Sequence, residues 1–438
     1  MLRIGVVGGG IAGLAAAHFL SSAGAKVTLL EASDQLGGLG TFFEYGDTSL
    51  ERFYHCMLPS DDHLLGLLRD IGLERETYWK ETSFGFMRGT RLYPLNTPLD
   101  LLRFDVLPWR DRFRIGLTGL WGSMRSSKGL DDITCEAWLT GLSGRRAFDA
   151  FWKPMLQGKF GDRYGEVPAL WFWTRFNREK GAKRERKGYI RGGYRRIASE
   201  LAASVTARGG TVRLRAPVER FDLDGQGRPS LTIAGEVLES FDQVLYTAPV
   251  SLLGRMTEGG QLAAPVGRLD STLDMQGVVN AVLMLRRGLT RHYWVAATDD
   301  DIPFQGVVES TTLLERSDTA GVHLVYLMNY VHRSEPLFAE SDVAILDRYV
   351  AGLQRLFPDL KDDDIVDRFL FRSPFVEPLY TRGYQRRKPP MSLVPGRVFL
   401  ATTSQVYPEV TSWNGSTGLV RQVVDQMLAQ GRAVPKAG

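Results

Sequence analysis

The chain is poor in cysteine, which occurs only twice in 438 residues, at Cys56 and Cys135. Two cysteines cannot build a disulfide framework, and neither stands in a C-x-x-C or Cys/His spacing that would hold a metal. We therefore expect no metal site and a reduced compartment, the cytoplasm.

Long apolar runs are missing as well. No stretch of about 18 apolar residues predicts a transmembrane helix, and the chain enters an apolar strand at once, so we expect no signal peptide. The net charge of +4 does not indicate nucleic-acid binding. What is present is a 44% hydrophobic composition, enough for a sizeable core.

The most informative feature is the N-terminal glycine motif. An apolar strand leads into Gly8, Gly10 and Gly13, spaced as G-x-G-x-x-G, and an Ala-rich helix and a strand ending at Glu31 follow. The glycines permit a tight turn, approach of a pyrophosphate, and close packing of helix on strand. The helix N-terminus favours phosphate, and an acid about 20 residues on accepts hydrogen bonds from a ribose. We predict a dinucleotide-binding unit.

A second glycine doublet, Gly37-Gly38, follows the acid. With it the chain resembles the flavoproteins of the amine oxidase, protoporphyrinogen oxidase and phytoene desaturase superfamily. There the doublet lies along the pyrophosphate and ribityl chain of FAD and usually precedes Arg, where this chain has Leu39. The last segment has no Cys and His55 is not in a recognised attachment motif, so we expect non-covalent FAD.

Two later segments resemble the same family, in the same order. After Gly188–Tyr194 the chain returns to the FAD domain, and Val218 matches the residue beside the adenine. Trp413–Gly418 opens a helix aimed at the flavin pyrimidine. Thr402-Thr403 replaces the family's Gly-Asp. The predicted cofactor-binding residues are Gly8, Gly10, Ile11, Ala12, Gly13, Glu31, Ala32, Gly37, Gly38, Leu39, Gly40, Val218, Thr402, Trp413, Asn414, Gly415 and Ser416.

The resemblance implies an α/β fold class, with a Rossmann-type FAD-binding domain interleaved with a mixed α+β substrate domain. We expect the FAD-binding domain to comprise residues 1–58, 186–253 and 393–438. The substrate domain would comprise residues 59–185, which read as mainly helical after position 97, and residues 254–392.

Local patterns predict several elements. Helices are expected over residues 60–72 and 341–357, capped by Ser60 and Ser341, and from 413 to about 428. Alternation of apolar residues predicts sheet strands in the second half of the substrate domain, at Val278–Leu285 and Val322–Tyr330.

Basic residues cluster in two places. The stretch Leu101–Arg125 mixes aromatics with arginines, and we expect core packing there, with a membrane interface as the alternative. The run Arg175–Arg196 holds ten basic residues against two acids. It is open to three interpretations: a solvated loop, closure over an anionic substrate, or peripheral membrane contact.

The segment after the glycine doublet is expected to pass near the flavin. In it, His55 is the candidate general base or substrate contact, because an unperturbed imidazole titrates near neutrality. The alternative is a histidine satisfied by the backbone. We expect the Cys56 thiol to be a small core residue.

A second resemblance points to different chemistry. The layout from Gly37 to Phe104 is similar to UDP-galactopyranose mutase, which uses reduced FAD as a nucleophile and holds a diphosphate with arginines and tyrosines. By that resemblance Tyr380 and Arg382 are catalytic candidates. The supporting side chains would be Arg91, Tyr384 and Arg386.

The sequence thus implies an FAD-dependent oxidoreductase, a dehydrogenase or oxidase moving a hydride from a small molecule onto flavin N5. The expected substrate is bulky and either sugar-like or prenylated, and the sequence is compatible with both a neutral and an anionic molecule. One alternative is a nucleotide-sugar mutase without net redox. The other, suggested by the departures at Leu39 and Thr402, is a catalytically silent flavin-binding protein.

Overall fold

The structure, a computed structural model, describes residues 1–178, 185–238 and 240–433. Residues 179–184 of the basic run Arg175–Arg196 lie outside the described residues. The strands are β1 (Arg3–Val7), β2 (Lys26–Leu30), β3 (Phe42–Tyr45), β4 (Thr48–Glu51), β5 (Thr77–Glu81), β6 (Phe84–Arg88), β7 (Arg91–Pro94), β8 (Arg186–Ile190), β9 (Thr211–Arg213), β10 (Val218–Leu223), β11 (Pro229–Ile233), β12 (Glu236–Val237), β13 (Gln243–Tyr246), β14 (Met275–Leu285), β15 (Trp294–Ala297), β16 (Gly306–Glu309), β17 (His323–His332), β18 (Ile365–Pro378), β19 (Ser392–Val394) and β20 (Val398–Leu400). The helices are α1 (Ile11–Ser22), α2 (Asp62–Asp70), α3 (Pro98–Leu102), α4 (Trp109–Met124), α5 (Cys135–Ser143), α6 (Arg145–Ala147), α7 (Lys153–Phe160), α8 (Ala169–Arg178), α9 (Gly193–Ala207), α10 (Val250–Thr257), α11 (Ala263–Gly267), α12 (Asp342–Leu356), α13 (Tyr384–Arg387) and α14 (Trp413–Ala433).

The glycine motif forms the centre of a six-stranded sheet of order β19-β20-β13-β1-β2-β9. β1 pairs in parallel with both β2 and β13, which is the βαβ arrangement that the first 31 residues predict. α1 packs against α9 and α14, so residues from three distant parts of the chain share one core. The interleaved Rossmann-type fold is confirmed, and the domain boundaries stay a prediction.

A second, seven-stranded sheet has the order β18-β14-β17-β16-β15-β6-β7. On one face, Val279 and Leu283 pack with α12. On the other face, Val278, Val282 and Tyr326 join the core of the first sheet. The side chains of a strand alternate between faces, so one face of the second sheet packs on α12 and the other packs into the core shared with the first sheet.

Two helix ends differ from the sequence prediction. The helix expected over 60–72 spans Asp62–Asp70, and Ser60 does not cap it, because Asp61 occupies the cap position. The last helix extends to Ala433 instead of ending near 428. The Gln430 side chain accepts a hydrogen bond from the Gly396 N–H, and this tertiary contact supports the additional turn. The predicted cap at Ser341 is confirmed.

The aromatic-basic stretch on α4 is only partly core. Ile115 is buried at 5% exposure, as expected, whereas Trp109, Phe113 and Trp121 are 68%, 58% and 50% exposed. The expectation of core packing is therefore wrong for these aromatics, because the helix buries only its opposite side. Within the described part of the chain, no helix combines the length and apolarity needed to cross a bilayer.

Candidate functional site

The glycine turn between β1 and α1 excludes side chains at Gly8 and Gly13, and a Cβ on Gly9 would also lie 2.8 Å from Leu36 Cδ2. Gly8 has φ +108°, a conformation that L side chains rarely adopt. A Cβ on Gly13 would lie 1.8 Å from the Gly8 carbonyl oxygen. These two glycines are therefore required by the turn itself.

Gly10 differs, because the turn does not require it. Its φ of −70° and ψ of 178° suit any residue. A Cβ there would meet only the Cα of Gly38, at 3.8 Å, so there is room beside Gly10, although the Gly37 N–H donates to the Gly9 carbonyl at 2.8 Å and joins the two glycine segments. α1 begins at Ile11, with no side-chain cap on its first N–H groups. Open space at a free helix N-terminus fits a pyrophosphate.

The far end of the turn is organised by Glu31. Its carboxylate accepts hydrogen bonds from the N–H groups of Gly9, at 2.6 Å, and Ser33, at 2.8 Å. The segment before β10 runs alongside, with the Ala216 N–H donating to the Glu31 carbonyl at 2.9 Å. Val218 is thereby brought near the end of β2, where the adenine is predicted to lie. Its role, like that of Ala32, stays a prediction.

The second glycine doublet meets the start of α14 and His55. A Cβ on Gly40 would lie 2.5 Å from Cζ2 of Trp413, so the indole packs directly on this turn. The Trp413 ring lies 4.7 Å from the Tyr194 ring and 5.9 Å from the His55 ring. The structure therefore brings together Gly40, His55 and Trp413, three residues that the sequence predicts for the flavin site.

His55 is a neutral imidazole in this surrounding. Burial lowers the pKa of His55 to about 4, although the hydrogen bond to the Phe53 carbonyl opposes that shift. Its Nδ1 lies 2.8 Å from the Phe53 carbonyl oxygen, which can only accept, so Nδ1 carries the proton. A group with this pKa is a weak base near neutrality, so the imidazole is better suited to accept a hydrogen bond through Nε2 than to remove a proton.

Several side chains at the start of α14 and at Thr402 are hydrogen-bonded within the protein or buried. Ser412, which the sequence prediction missed, caps α14 by accepting from the Gly415 N–H at 3.1 Å. Ser416 is 6% exposed. The Thr402 hydroxyl donates to the side-chain carbonyl of Gln405, at 3.3 Å. Cofactor roles for these side chains stay predictions.

Asn414 holds the neighbouring helix. Its Oδ1 accepts hydrogen bonds from the backbone N–H groups of His63, at 2.9 Å, and Leu64, at 3.0 Å, which belong to the first turn of α2. The side chain therefore satisfies two helix donors that lack intrahelical partners. This contact joins residues 350 positions apart, so local sequence signals could not reveal it.

We expect Asn414→Ala to lower the free energy of unfolding by about 1 kcal/mol, the usual cost of a lost helix cap, with FAD retained. Asn414→Asp should keep the stability, because a carboxylate also accepts these hydrogen bonds. Thermal melting and the ratio of flavin to protein absorbance measure the two effects. Loss of flavin with unchanged melting of the cofactor-free protein would instead favour the predicted cofactor role.

The segment after β4 lies against the second sheet. Asn280 donates to the Arg52 carbonyl at 2.7 Å, and the Tyr326 hydroxyl donates to the Glu51 carbonyl at 2.8 Å. The hydroxyls of Tyr54 and Tyr330 are 3.3 Å apart. One face of the second sheet thus directs polar groups at the backbone that follows β4.

Two buried acids at this junction were missed by the sequence prediction. Glu51 is 4% exposed; burial raises its pKa, while hydrogen bonds from the Tyr189 hydroxyl and the Tyr194 N–H oppose the rise. Glu377, 4% exposed, lies 2.6 Å from the Lys159 ammonium and 3.7 Å from the Arg175 guanidinium. Burial alone would raise the pKa of Glu377, but the two cations lower it overall.

Most of the arginines and tyrosines predicted to hold a diphosphate have protein partners, and their catalytic role stays a prediction. Tyr380 is buried, with its hydroxyl 2.8 Å from Thr411 Oγ1, and it packs on Tyr384. Arg386 pairs with an aspartate at 2.6 Å, as does Arg91 at 2.7 Å. Arg382 is exposed on the turn before α13. The charges of two of these arginines are therefore already neutralised by carboxylates.

Comparison with known proteins agrees with this geometry. A model of the flavin-containing amine oxidoreductases matches residues 11–411. The 15-cis-phytoene desaturase of Synechococcus elongatus is 24% identical over 388 residues, covering 82% of this chain and 80% of that protein. Protoporphyrinogen oxidase 2 of Arabidopsis thaliana is 28% identical over 137 residues, 31% of this chain and 27% of that protein.

Among solved structures, reduced UDP-galactopyranose mutase superposes with a TM-score of 0.75, at 18% identity, covering 98% of this chain and 96% of that chain. At this identity the likeness concerns the fold alone. The family match confirms the predicted superfamily, the FAD cofactor and the oxidoreductase class. The chain belongs to the flavin-containing amine oxidoreductase family.

Proposed function

We propose that this chain desaturates a bulky, largely apolar molecule of prenyl type: one C–H bond gives a hydride to the flavin, the adjacent carbon loses a proton to solvent, and a C=C bond forms. The observation that carries the proposal is the face of the second sheet opposite Glu51–Tyr54. Beside the polar Asn280 and Tyr326, this face carries the buried Val278, Val282 and Met328 and the partly buried Phe371, and these apolar side chains suit an apolar substrate better than a sugar diphosphate. Bound FAD supplies the hydride acceptor at N5.

The protein's own groups position and shield that reaction. Asn280 and Tyr326 hold the backbone of Glu51 and Arg52 against the sheet, which keeps water from this junction. The neutral His55 offers an uncharged Nε2 acceptor beside Trp413. The relative from Synechococcus supports the choice of substrate, because its name gives phytoene as the molecule it desaturates.

The mutase alternative receives less support. It needs cationic side chains that converge on a diphosphate, whereas Arg91 pairs with Asp105 and Arg386 pairs with Asp132. The alternative of a catalytically silent flavin-binding protein rests on the departures at Leu39 and Thr402. The hydrogen bond from the Thr402 hydroxyl to Gln405 is compatible with that alternative, so the experiment below has to decide it.

The deciding experiment follows the visible flavin band of the purified holoprotein without oxygen. We expect a prenyl hydrocarbon in detergent micelles to bleach the band, and NADPH alone to leave it unchanged. Rapid bleaching by NADPH, followed by interconversion of UDP-galactose ring forms without net redox, would establish the mutase instead. A band that neither donor bleaches would favour the silent protein.

His55 gives a test at the residue level. We expect His55→Ala to slow flavin reduction by the prenyl substrate at least about tenfold, with the FAD content unchanged. Because the pKa of His55 is about 4, its titration should add no inflection to the rate profile above about pH 5. Stopped-flow absorbance measures both quantities.

His55→Asn is the matched control, because the amide can still donate to the Phe53 carbonyl. If Asn restores the full rate, the imidazole only positions the loop. An unchanged rate in both variants would remove His55 from the site.

A further inference from the structure

The helices α3–α8, between β7 and β8, form a helical layer that carries an exposed apolar strip, which we call the aromatic face. Its members are Leu102, Trp109, Phe113, Trp121 and Met124, with exposed fractions of 55%, 68%, 58%, 50% and 72%. Four of them lie on α4 and recur within about a third of its circumference. Contiguous exposed apolar side chains of this size mark interaction surfaces.

The orientation of α4 is set by its other side. Asp111, Ile115 and Thr118 are buried at 8%, 5% and 0% exposure. A Cβ on Gly122 would lie 3.2 Å from both Trp138 and Phe176, so the helix packs closely on the layer beneath. The aromatic face therefore points outward as part of a firmly packed helix.

The charges around the aromatic face have one sign. Arg103, Arg110, Arg125 and Lys128 are exposed and form no ion pair among the described residues. The Arg110 guanidinium lies 5.6 Å from the Trp109 ring centroid. These residues give the border of the face a positive charge.

The acids of the same stretch are engaged by partners outside the border, including Asp105, whose side chain is 47% exposed. Asp100 accepts from the Thr97 N–H at the start of α3, and Asp105 binds Arg91 and the Tyr93 hydroxyl. Asp111 is buried beside Arg114. None of the three therefore offsets the positive border.

We propose that the aromatic face docks on an anionic lipid bilayer, with α4 lying in the interface plane. Tryptophan rings bordered by arginines suit the headgroup region, where the ring is partly buried and the cation meets lipid phosphate. A second copy of the chain fits poorly, because a twofold axis through the face would set its arginines against each other. A helix of 16 residues is also too short to span the bilayer.

The test is sedimentation of the full-length holoprotein with vesicles of phosphatidylcholine alone or mixed with phosphatidylglycerol. We expect binding at least about tenfold tighter to the anionic vesicles, weakening as salt is raised. The variant Trp109→Ser/Phe113→Ser should lose about tenfold or more of this binding. Arg103→Gln/Arg110→Gln/Arg125→Gln should lose the preference for anionic lipid.

Matched controls alter similar residues elsewhere. Val237→Ser/Val343→Ser removes two exposed apolar side chains, and Arg255→Gln/Arg268→Gln removes two exposed charges; neither should alter vesicle binding. Circular dichroism verifies that each variant is folded, which we expect because the replaced side chains are exposed.

Equal binding by the aromatic variant and its control would overturn the proposal. So would the absence of vesicle binding together with a dimer, seen by analytical ultracentrifugation, that Trp109→Ser/Phe113→Ser dissociates. Vesicle binding is measured without turnover. Absence of vesicle binding would therefore not contradict the proposed oxidation, and absence of flavin reduction by the prenyl substrate would not contradict the proposed membrane docking.

Discussion

Gly10→Val is expected to give a folded, colourless protein. The backbone at Gly10 has an extended conformation that valine readily adopts, and the added Cβ would meet only Gly38 Cα, at 3.8 Å. The fold alone therefore tolerates the change. The isopropyl group would occupy the space beside Gly10 that a pyrophosphate needs. We expect FAD affinity to fall at least about 100-fold, roughly 3 kcal/mol.

The measurement is the ratio of flavin to protein absorbance after purification, followed by titration of the apoprotein with FAD. Gly66→Ala is the matched control, since a Cβ at this position on α2 meets nothing within 4 Å. The control should be as yellow as the parent. A folded Gly10→Val variant with full flavin content would refute the placement of FAD at this turn.

Glu377→Gln should be the most destabilising single polar substitution that we propose. Glu377 is 4% exposed, and its carboxylate faces both the Lys159 ammonium and the Arg175 guanidinium. The amide would leave the largely buried Lys159 ammonium without the carboxylate that neutralises it, and would weaken the contact with the Arg175 guanidinium. Removing one partner of such a cluster costs about 3 kcal/mol of unfolding free energy. The shift in melting temperature of the holoprotein measures it.

The control makes the same chemical change at an exposed pair. Glu166 lies 3.0 Å from Arg163, with side-chain exposures of 50% and 40%, so Glu166→Gln should cost less than about 1 kcal/mol. Adding Lys159→Met to Glu377→Gln should recover part of the stability, because it removes one unpaired cation. Equal losses from Glu377→Gln and Glu166→Gln would contradict a buried ionic cluster.

Much of the fold follows from signals confined to a few neighbouring residues. Gly8 and Gly13 could be predicted from the sequence because each is required by local geometry. Gly8 adopts a positive φ, and Gly13 allows the helix to lie close to the strand. The strands β14 and β17 could be predicted because each is a continuous segment of the chain rich in apolar, β-branched residues. The cap at Ser341 was likewise local.

The flavin site was only partly predictable. Glu31 and the doublet Gly37-Gly38 stand close to the first motif, so spacing reveals them. Glu51 carries no such signal, because its importance comes from Tyr189 and Tyr194, which are more than a hundred positions away. The actual pKa of His55 was also hidden, since burial by distant rings sets it.

By itself, the sequence determined the dinucleotide-binding turn, the order in which the chain returns to it, and the resemblance that named FAD. Those features depend on glycine spacing and strand–helix alternation, which act over short distances. Only the tertiary structure decided that Asn414 supports α2, that Glu377 meets Lys159, and that Trp109 faces outward. Each of these depends on which distant surfaces meet when the two sheets and the helical layer pack.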